Sequence, residues 1–227
     1  MPIVNIFADI DTAKPRQSFD VVGRFRAGHM IKNRPQTLSE WRVTTDDPEV
    51  AETIAELFGG KAQNWDNERQ PWEVFTTATS VPIIVEKVFS SMTLWGRAGP
   101  IRKCDGQTLT YPEDQAGQPC ECAKFGSLAD RKAAAERGTG CQPDIMVRFV
   151  LADRPELGSF EFRSGSWALA RDIAQVETDL AAFGGRAVGT MTLEPVEFTA
   201  KDSGQLRKFT KTVINLTAAA PTEGAAA

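Results

Sequence analysis

The chain has 227 residues, of which 41% are hydrophobic and 25% charged, a composition typical of a folded globular protein and unlike that of a disordered one. Its net charge of −4 argues against a protein whose main role is to bind nucleic acid, because such proteins usually present a basic surface. The first nine residues have no basic start and soon reach Asp9, so we expect no signal peptide, no membrane association and a cytoplasmic location.

The N-terminal part of the chain predicts a strand followed closely by a helix. Residues 37–44 alternate apolar and polar side chains, which is typical of a half-buried strand. Asp46 or Asp47 can cap the helix, Pro48 suits its first position, and Gly59-Gly60 can end it. Its apolar stripe should consist of Val50, Ile54, Leu57 and Phe58.

Short strands are expected between this helix and the first cysteine. We place one near Trp65, a β-rich run from Trp72 to Val85, and a separate strand near Met92–Trp95. Pro82 lies inside the run and lacks a backbone N–H, so it predicts an edge strand or a bulge.

The second half of the chain has stronger signals. Residues 144–151 predict a central strand, and 158–162 its hairpin partner. A long amphipathic helix follows, whose apolar side chains recur at steps of four and three: Leu169, Ile173, Val176, Leu180 and Phe183. Two final strands are expected at 187–194 and 208–216, with a bulge at Pro195.

These elements predict a single α+β domain over residues 1–217. Its sheet should be mainly antiparallel, with two principal amphipathic helices and a zinc-binding loop insertion at 98–143. The tail, residues 218–227, shows no pattern and is expected to be disordered.

The two helices end alike, at Phe58-Gly59-Gly60 and at Phe183-Gly184-Gly185. A duplication that produced two similar halves, about 20–97 and 142–217, would explain this similarity. Independent use of a glycine helix stop would explain it equally, because glycine adopts the required left-handed conformation without strain.

Four cysteines lie in one segment, and the rest of the chain has none: Cys104, Cys120, Cys122 and Cys141. Four thiolates are the ligand set of a closed, tetrahedral structural zinc site, and the surrounding Gly- and Pro-rich sequence would need a metal to order it. A short helix over 128–137, stopped by Gly138 and Gly140, could return Cys141 to the Cys120/Cys122 pair. His29 could replace one ligand.

Other interpretations of the cysteines stay open, because only Cys120 and Cys122 are closely paired, as CxC, where zinc knuckles usually have two CxxC pairs. The alternatives are a disulfide or free buried thiols, and an iron–sulfur cluster or redox role.

Basic side chains form two local groups, which we expect to be mostly solvated: Arg24, Arg26, His29, Lys32 and Arg34, and then Arg207, Lys208 and Lys211. The sequence has no P-loop, GxGxxG after a strand, HExxH or GxSxG, and it has a single histidine. We therefore predict no catalytic residues and no enzymatic activity.

Several short motifs follow one another in a recognisable order: Arg42-Val43-Thr44-Thr45-Asp46-Asp47-Pro48, Leu57-Phe58-Gly59-Gly60, Gln70-Pro71-Trp72-Glu73-Val74, Lys103-Cys104-Asp105-Gly106, Pro119-Cys120-Glu121-Cys122, Gly140-Cys141-Gln142-Pro143 and Arg207-Lys208-Phe209. This order resembles the actinobacteriophage family of recombination directionality factors, the partners of large serine integrases. The resemblance spans roughly residues 20–216 and includes the cysteines.

The resemblance implies a non-enzymatic regulator, active in the cytoplasm of a bacterial host. It would bind a large serine integrase at its coiled-coil region and switch it from integration to excision, that is, to attL × attR recombination. Contact with DNA would be indirect, through the integrase. Two other functions stay open: a single-stranded nucleic-acid-binding accessory protein of phage replication, and a zinc-containing hydrolase.

Overall fold

The alternating and apolar runs of the sequence form one large sheet, and the periodic segments form helices beside it. The structure, a computed structural model, describes residues 21–31, 34–199 and 204–221. The strands are β1 (Gly23–Ile31), β2 (Arg34–Thr45), β3 (Ala62–Asn64), β4 (Trp72–Phe75), β5 (Ser80–Gly96), β6 (Gly99–Cys104), β7 (Leu109–Tyr111), β8 (Gln142–Leu151), β9 (Phe160–Ser164), β10 (Ala187–Thr199) and β11 (Leu206–Ala219). The α-helices are α1 (Pro48–Phe58), α2 (Leu128–Glu136) and α3 (Trp167–Ala182).

The eleven strands form one mixed sheet in the order β11-β10-β5-β8-β9-β1-β2-β4-β3, with β6 added to β5 and β7 to β6. Among the described strands, only β1 and β9 pair in parallel. The described part of the chain is therefore mostly β sheet with three α-helices, and its strand pairing is mainly antiparallel, as expected. Within the described ranges, no helix has the length and apolarity that crossing a membrane requires.

The main hydrophobic core joins α1 and α3 to the sheet. Phe25 on β1 lies at its centre, in edge-to-face contact with Trp41, Phe149 and Phe160 at centroid distances of 5.4–5.9 Å. From α3, the core includes Leu169, Ile173, Val176 and Leu180, as the periodicity predicted.

Helix α1 forms where the capping residues predicted it. The Asp47 carboxylate, not that of Asp46, accepts the N–H of Glu49 (2.8 Å) and of Val50 (3.4 Å). The buried stripe consists of Val50, Ala51 and Ile54, whereas Leu57 is exposed. The prediction was wrong for Leu57, because at about 100° per residue it lies near the rim of the stripe that Val50 and Ala51 define.

Pro82 lies in a central strand, so the predicted edge strand is wrong. The carbonyl of Pro82 accepts the N–H of Ala152 (3.1 Å). In an antiparallel strand, the backbone nitrogen and the carbonyl oxygen of the same residue point to the same neighbouring strand. The missing N–H of Pro82 therefore faces the end of β8, which stops at Leu151. The irregularity in this strand falls instead between Val85 and Lys87.

Pro195 pairs regularly with Thr210, so the bulge predicted there is also wrong. The N–H of Leu193, two residues earlier, donates to the carbonyl of Thr79 (2.8 Å), just before β5 begins. The backbone nitrogen of Pro195 faces the same side as that of Leu193, and on this side no described strand pairs with β10 beyond Thr192. The register shift of this pair lies at Val188/Gly189.

Three predicted boundaries also differ. The strand expected near Met92 is the second half of the 17-residue β5 and is not a separate element. The strand near Trp65 ends at Asn64. Ala218 and Ala219, assigned to the disordered tail, continue β11 because they pair with Val188 and Ala187.

Some sequence-based expectations fall outside the described residues. They concern the N-terminal segment 1–20, Lys32 and residues 222–227, together with the side chains of Arg34 and Arg207. The internal duplication stays a prediction. Along the chain, the order β1-β2-α1-β3-β4-β5 is similar to β8-β9-α3-β10-β11, apart from the additional short strand β3 after α1. In the sheet, however, β5 of the first half lies between β8 and β10 of the second half.

Candidate metal centre

The four cysteines are carried by short elements that converge on one point. Cys104 ends β6, where it pairs with Met92 on one side and Leu109 on the other. Cys120 and Cys122 lie at the start of a single 3₁₀ turn, and Cys141 immediately precedes β8. Strand pairing thus places the first and last cysteines, while the middle two depend on a loop.

That loop is organised by polar contacts. The Asp105 carboxylate accepts the N–H groups of Gln107 and Thr108, both at 2.7 Å, and these hydrogen bonds lower the pKa of Asp105. The N–H of Cys120 donates to the carbonyl of Gln107 (2.7 Å), and Thr108 forms a bridge with Pro119. The chain therefore folds back so that Cys120 lies beside Cys104.

Helix α2 brings the chain back to the site, as predicted. Ser127 caps its start by accepting the N–H of Asp130 (3.1 Å). At its end, Gly140 passes so close to the helix that an added Cβ would lie 2.8 Å from the Cβ of Ala134. Only glycine allows this approach, which positions Cys141 toward the other three cysteines.

All four sulfur atoms lie within 4.8 Å of one another, and all four side chains are buried. They are free thiols, so the structure does not form the disulfide considered above. In a tetrahedral site with metal–sulfur bonds of about 2.3 Å, sulfur atoms are about 3.8 Å apart, so small shifts would complete the geometry. The residues present therefore fit a metal ion with four sulfur ligands, which leaves no position for a water or substrate.

The cluster forms a small hydrophobic unit apart from the main core. It contains the four cysteines and Leu109, with Met92 and Leu94 packed against it. So few apolar side chains bury little area, and a segment of this size usually needs a metal or disulfides for stability.

The electrostatics of the cluster favour anionic sulfur at Cys141. A hydrogen bond from Cys104 and the neighbouring Arg102 lower the pKa of Cys141 to about 5. The same contact with Cys141, together with burial, raises the pKa of Cys104, and burial raises that of Cys122 to about 11.

Arg102 contacts the cysteine cluster, and the sequence reasoning missed it. Burial is the largest single influence on its pKa and lowers it, but the hydrogen bond with Cys141 and the charges of Cys141, Cys120 and Glu121 together raise the pKa above its ordinary value. Its guanidinium also donates to the carbonyl of Thr139 (3.1 Å) and to Glu121 (3.3 Å). The sequence could have predicted this contact. Arg102 comes two residues before Cys104, and side chains two residues apart on a strand lie on the same face.

His29 does not join the cysteines. It lies on β1 with its ring 5.6 Å from that of Phe75, so the suggestion that it replaces a ligand is wrong.

The two groups of basic residues were expected to be mostly solvated, and the structure agrees with this only in part. Lys208 and Lys211 form surface ion pairs with Glu197 and Glu194. Arg24 and Arg26, predicted to be solvated, instead line a recess beside β9.

One comparison with known proteins gives a match. A family model described as Gp3-like, recombination directionality factor-like, matches residues 22–218, which include the four cysteines and almost all of the described sheet. No solved structure matches the chain.

Proposed function

The chain belongs to the Gp3-like, recombination directionality factor-like family, and from this premise we propose that it is a recombination directionality factor. It binds a large serine integrase and switches it from integration to excision between attL and attR, without catalysing any step itself. The family match along nearly the whole described chain is the observation that carries this proposal.

The switch requires only that the protein bind one arrangement of the integrase more tightly than the other. A difference of about 3 kcal/mol in binding free energy changes the ratio of the two arrangements by roughly a hundredfold. The coiled-coil region of the integrase is the proposed contact, and the integrase supplies both the catalysis and the DNA affinity. The net charge of −4 supports indirect contact with DNA.

We further propose that the bound metal is zinc. Four buried thiols, with which the described part of the chain groups no histidine or carboxylate, favour a soft divalent ion, and zinc commonly takes four cysteines in structural sites. The metal holds the segment 98–143 in place and takes no part in a reaction.

An excision assay tests the function. Purified protein is added to the cognate integrase on attL × attR and, separately, on attP × attB substrates. We expect excision to rise and integration to fall, and no product with a catalytically inactive integrase. Unchanged recombination in both directions would contradict the proposal.

A mobility-shift assay separates this function from the nucleic-acid alternative. A supershift that needs integrase supports the directionality factor. Direct binding to single strands that weakens with salt would favour the replication accessory protein.

A further inference from the structure

A recess of about 490 Å³ opens where β1 and β9 meet the start of α3 and the side of β11. Six of the residues that line it carry the inference: Arg24, Arg26, Glu161, Arg163, Ser166 and Phe209. It lies on strands that carry none of the four cysteines, so it is a second candidate site.

The recess contains three guanidinium groups and one carboxylate. Glu161, whose side chain is 5% exposed, accepts from Arg163 (2.7 Å) and forms an ion pair with Arg24 (3.3 Å). Arg26 donates instead to neutral oxygens, the hydroxyl of Thr44 (3.0 Å) and the amide oxygen of Gln70 (3.3 Å). Among the residues that line the recess, one carboxylate thus faces three arginines, and Arg163 is also attracted by Asp144, which lies outside the recess. The lining still carries an excess of positive charge inside a partly enclosed space.

Arg26 is partly buried beside other cations. Burial, followed by the neighbouring charges of Arg42 and Arg24, lowers its pKa. A guanidinium nevertheless stays protonated near neutral pH. A bound anion would offset this repulsion, because an opposite charge within a few ångströms stabilises the charged form.

The N-terminus of α3 adds to the same potential. Ser166 caps this 16-residue helix, accepting the N–H of Leu169 (3.4 Å), and Ser166 also lines the recess. The first turn of α3 contains no acidic residue to neutralise the positive end of the helix. The arginines and the helix end thus favour the same kind of ligand, an oxyanion.

The rim of the recess is aromatic. Phe209 lines it and packs edge to face against Phe198, with ring centroids 6.0 Å apart. Both rings lie on what we call the arm, residues 193–199 and 206–212, where β10 and β11 pair with each other beyond the last pairing of β10 with β5. Phe198 is 46% exposed and Phe209 37% exposed, as aromatic residues at protein interfaces often are before binding.

The charge distribution favours a protein over a nucleic acid. Among the described side chains of the arm, Lys208 is paired with Glu197 and Lys211 with Glu194. A nucleic-acid backbone needs a continuous track of unneutralised cations, whereas these two lysines of the arm are each neutralised by a carboxylate. An acidic side chain flanked by apolar residues complements both the recess and its rim.

We propose that the recess binds an acidic side chain of a protein partner, whose neighbouring apolar residues pack against Phe198 and Phe209. Insofar as that partner is the integrase, this inference rests on the proposed function. It adds to that function a specific contact, a carboxylate held by Arg26 and Arg163.

The first test measures binding of the purified protein to the cognate integrase without DNA. Arg163→Gln and Arg26→Gln should each weaken binding at least about tenfold, because a charged hydrogen-bonded contact is lost from an interface. Arg97→Gln is the matched control, since Arg97 is exposed in the turn between β5 and β6. Unchanged thermal melting of Arg163→Gln, whose side chain is 58% exposed, shows that folding is retained.

If wild-type protein binds integrase and both recess variants bind equally tightly, the inference is overturned while the proposed function stands. If wild-type protein does not bind integrase, the proposed function fails, and the second test decides the recess.

The second test uses NMR of side-chain Nε–H groups during titration with a peptide of alternating glutamate and leucine, with inorganic phosphate, and with a single-stranded oligonucleotide. We expect saturable shifts at Arg24, Arg26 and Arg163 with the peptide, lost in Phe198→Ser/Phe209→Ser protein. No shift with the peptide, or tighter binding of the oligonucleotide or of phosphate than of the peptide, would overturn the inference.

Discussion

Each cysteine of the candidate metal centre supplies a contact that no neighbouring side chain can replace. The four thiols share a cluster with Leu109, and the described residues place no histidine or carboxylate oxygen within ligand distance of all of them. Loss of one thiol leaves three sulfur ligands and an open position, which weakens binding and exposes the metal to water.

Cys122→Ser should therefore lose the equimolar zinc that we expect in the purified wild-type protein, because a hydroxyl is a poor substitute for a thiolate. Elemental analysis of the dialysed protein measures this. Ser127→Ala is the control: it removes the cap of α2 at a cost of about 1 kcal/mol and should keep the metal. Zinc-free, fully folded wild-type protein would contradict the proposed metal.

A second sensitive contact is the buried ion pair between Arg42 and Glu73. Their side chains are 7% and 9% exposed, and the Nε of Arg42 lies 2.7 Å from Glu73. The guanidinium also stacks over the ring of Trp65, 4.2 Å from its centroid. Removing either partner alone leaves an uncompensated buried charge.

We expect Arg42→Met to lower the free energy of unfolding by about 3–5 kcal/mol. Adding Glu73→Gln should recover most of that loss, since the buried charge is then gone. Urea unfolding followed by tryptophan fluorescence measures both. Arg171→Met, which breaks an exposed pair with Asp172, should leave the free energy of unfolding nearly unchanged. Additive losses in the double variant would show that the pair is not coupled.

At the scale of elements, the two glycine helix stops look identical in sequence but differ in their surroundings. Gly60 has a φ of +93°, and a Cβ there would lie 2.1 Å from the carbonyl oxygen of Phe75. Gly185 has a φ of +87°, and a Cβ there would meet nothing within 4 Å. The first stop packs against β4, whereas the second faces open space.

Gly185→Ala should cost about 1–2 kcal/mol, the strain of a left-handed conformation. Gly60→Ala should cost more, about 2–5 kcal/mol, because a backbone displacement adds to that strain. Thermal unfolding of the two variants gives the comparison. Equal losses would mean that the close approach of Gly60 to Phe75 is not maintained in solution.

The elements also show which features can be predicted from sequence. Helices α1 and α3 were predictable because capping residues and periodicity lie within the helix itself. Pro82 and Pro195 were misread because the consequence of a missing N–H depends on where a neighbouring strand ends. That information comes from residues about 70–115 positions away along the chain.

At the scale of the whole molecule, strand β5 joins two separate hydrophobic clusters. Its first half places Val81, Ile83 and Val85 in the main core, and its second half places Met92 and Leu94 against the cysteine cluster. The two clusters share no residue, so we expect the metal to stabilise the insertion more than the main core.

Chelation tests this division. After removal of metal with a strong chelator, hydrogen exchange should accelerate in peptides from residues 98–141 and change little in α1, α3 and β8. Mass spectrometry of the exchanged protein measures both regions, and readdition of zinc should restore the protection. Exchange that accelerates equally everywhere would show that the two clusters unfold as one unit.

The candidate sites differ in how far sequence could predict them. The cysteine site could be predicted because all four cysteines of the chain lie in one segment, and cysteine has few roles in proteins. The arginine recess was not, because Arg26, Arg163 and Phe209 are brought together only by the β1–β9 pairing and by the position of β11. The sequence analysis grouped basic residues that are close along the chain. It therefore placed Arg24 with His29 and left out Arg163, which is far from both in the sequence.

The position of β5 has a consequence for the synthesis of the chain on the ribosome. Its long neighbours β8 and β10 are both made after it, so the edge that pairs with β8 stays unpaired while about 50 further residues emerge, and the edge that pairs with β10 stays unpaired for an interval of about 100 residues. At bacterial elongation rates this interval is on the order of 5–20 s. Only the β6 hairpin can cover its far end early. We therefore expect the nascent protein to be prone to pairing with other chains through the unpaired edges of β5 until its neighbouring strands have been made.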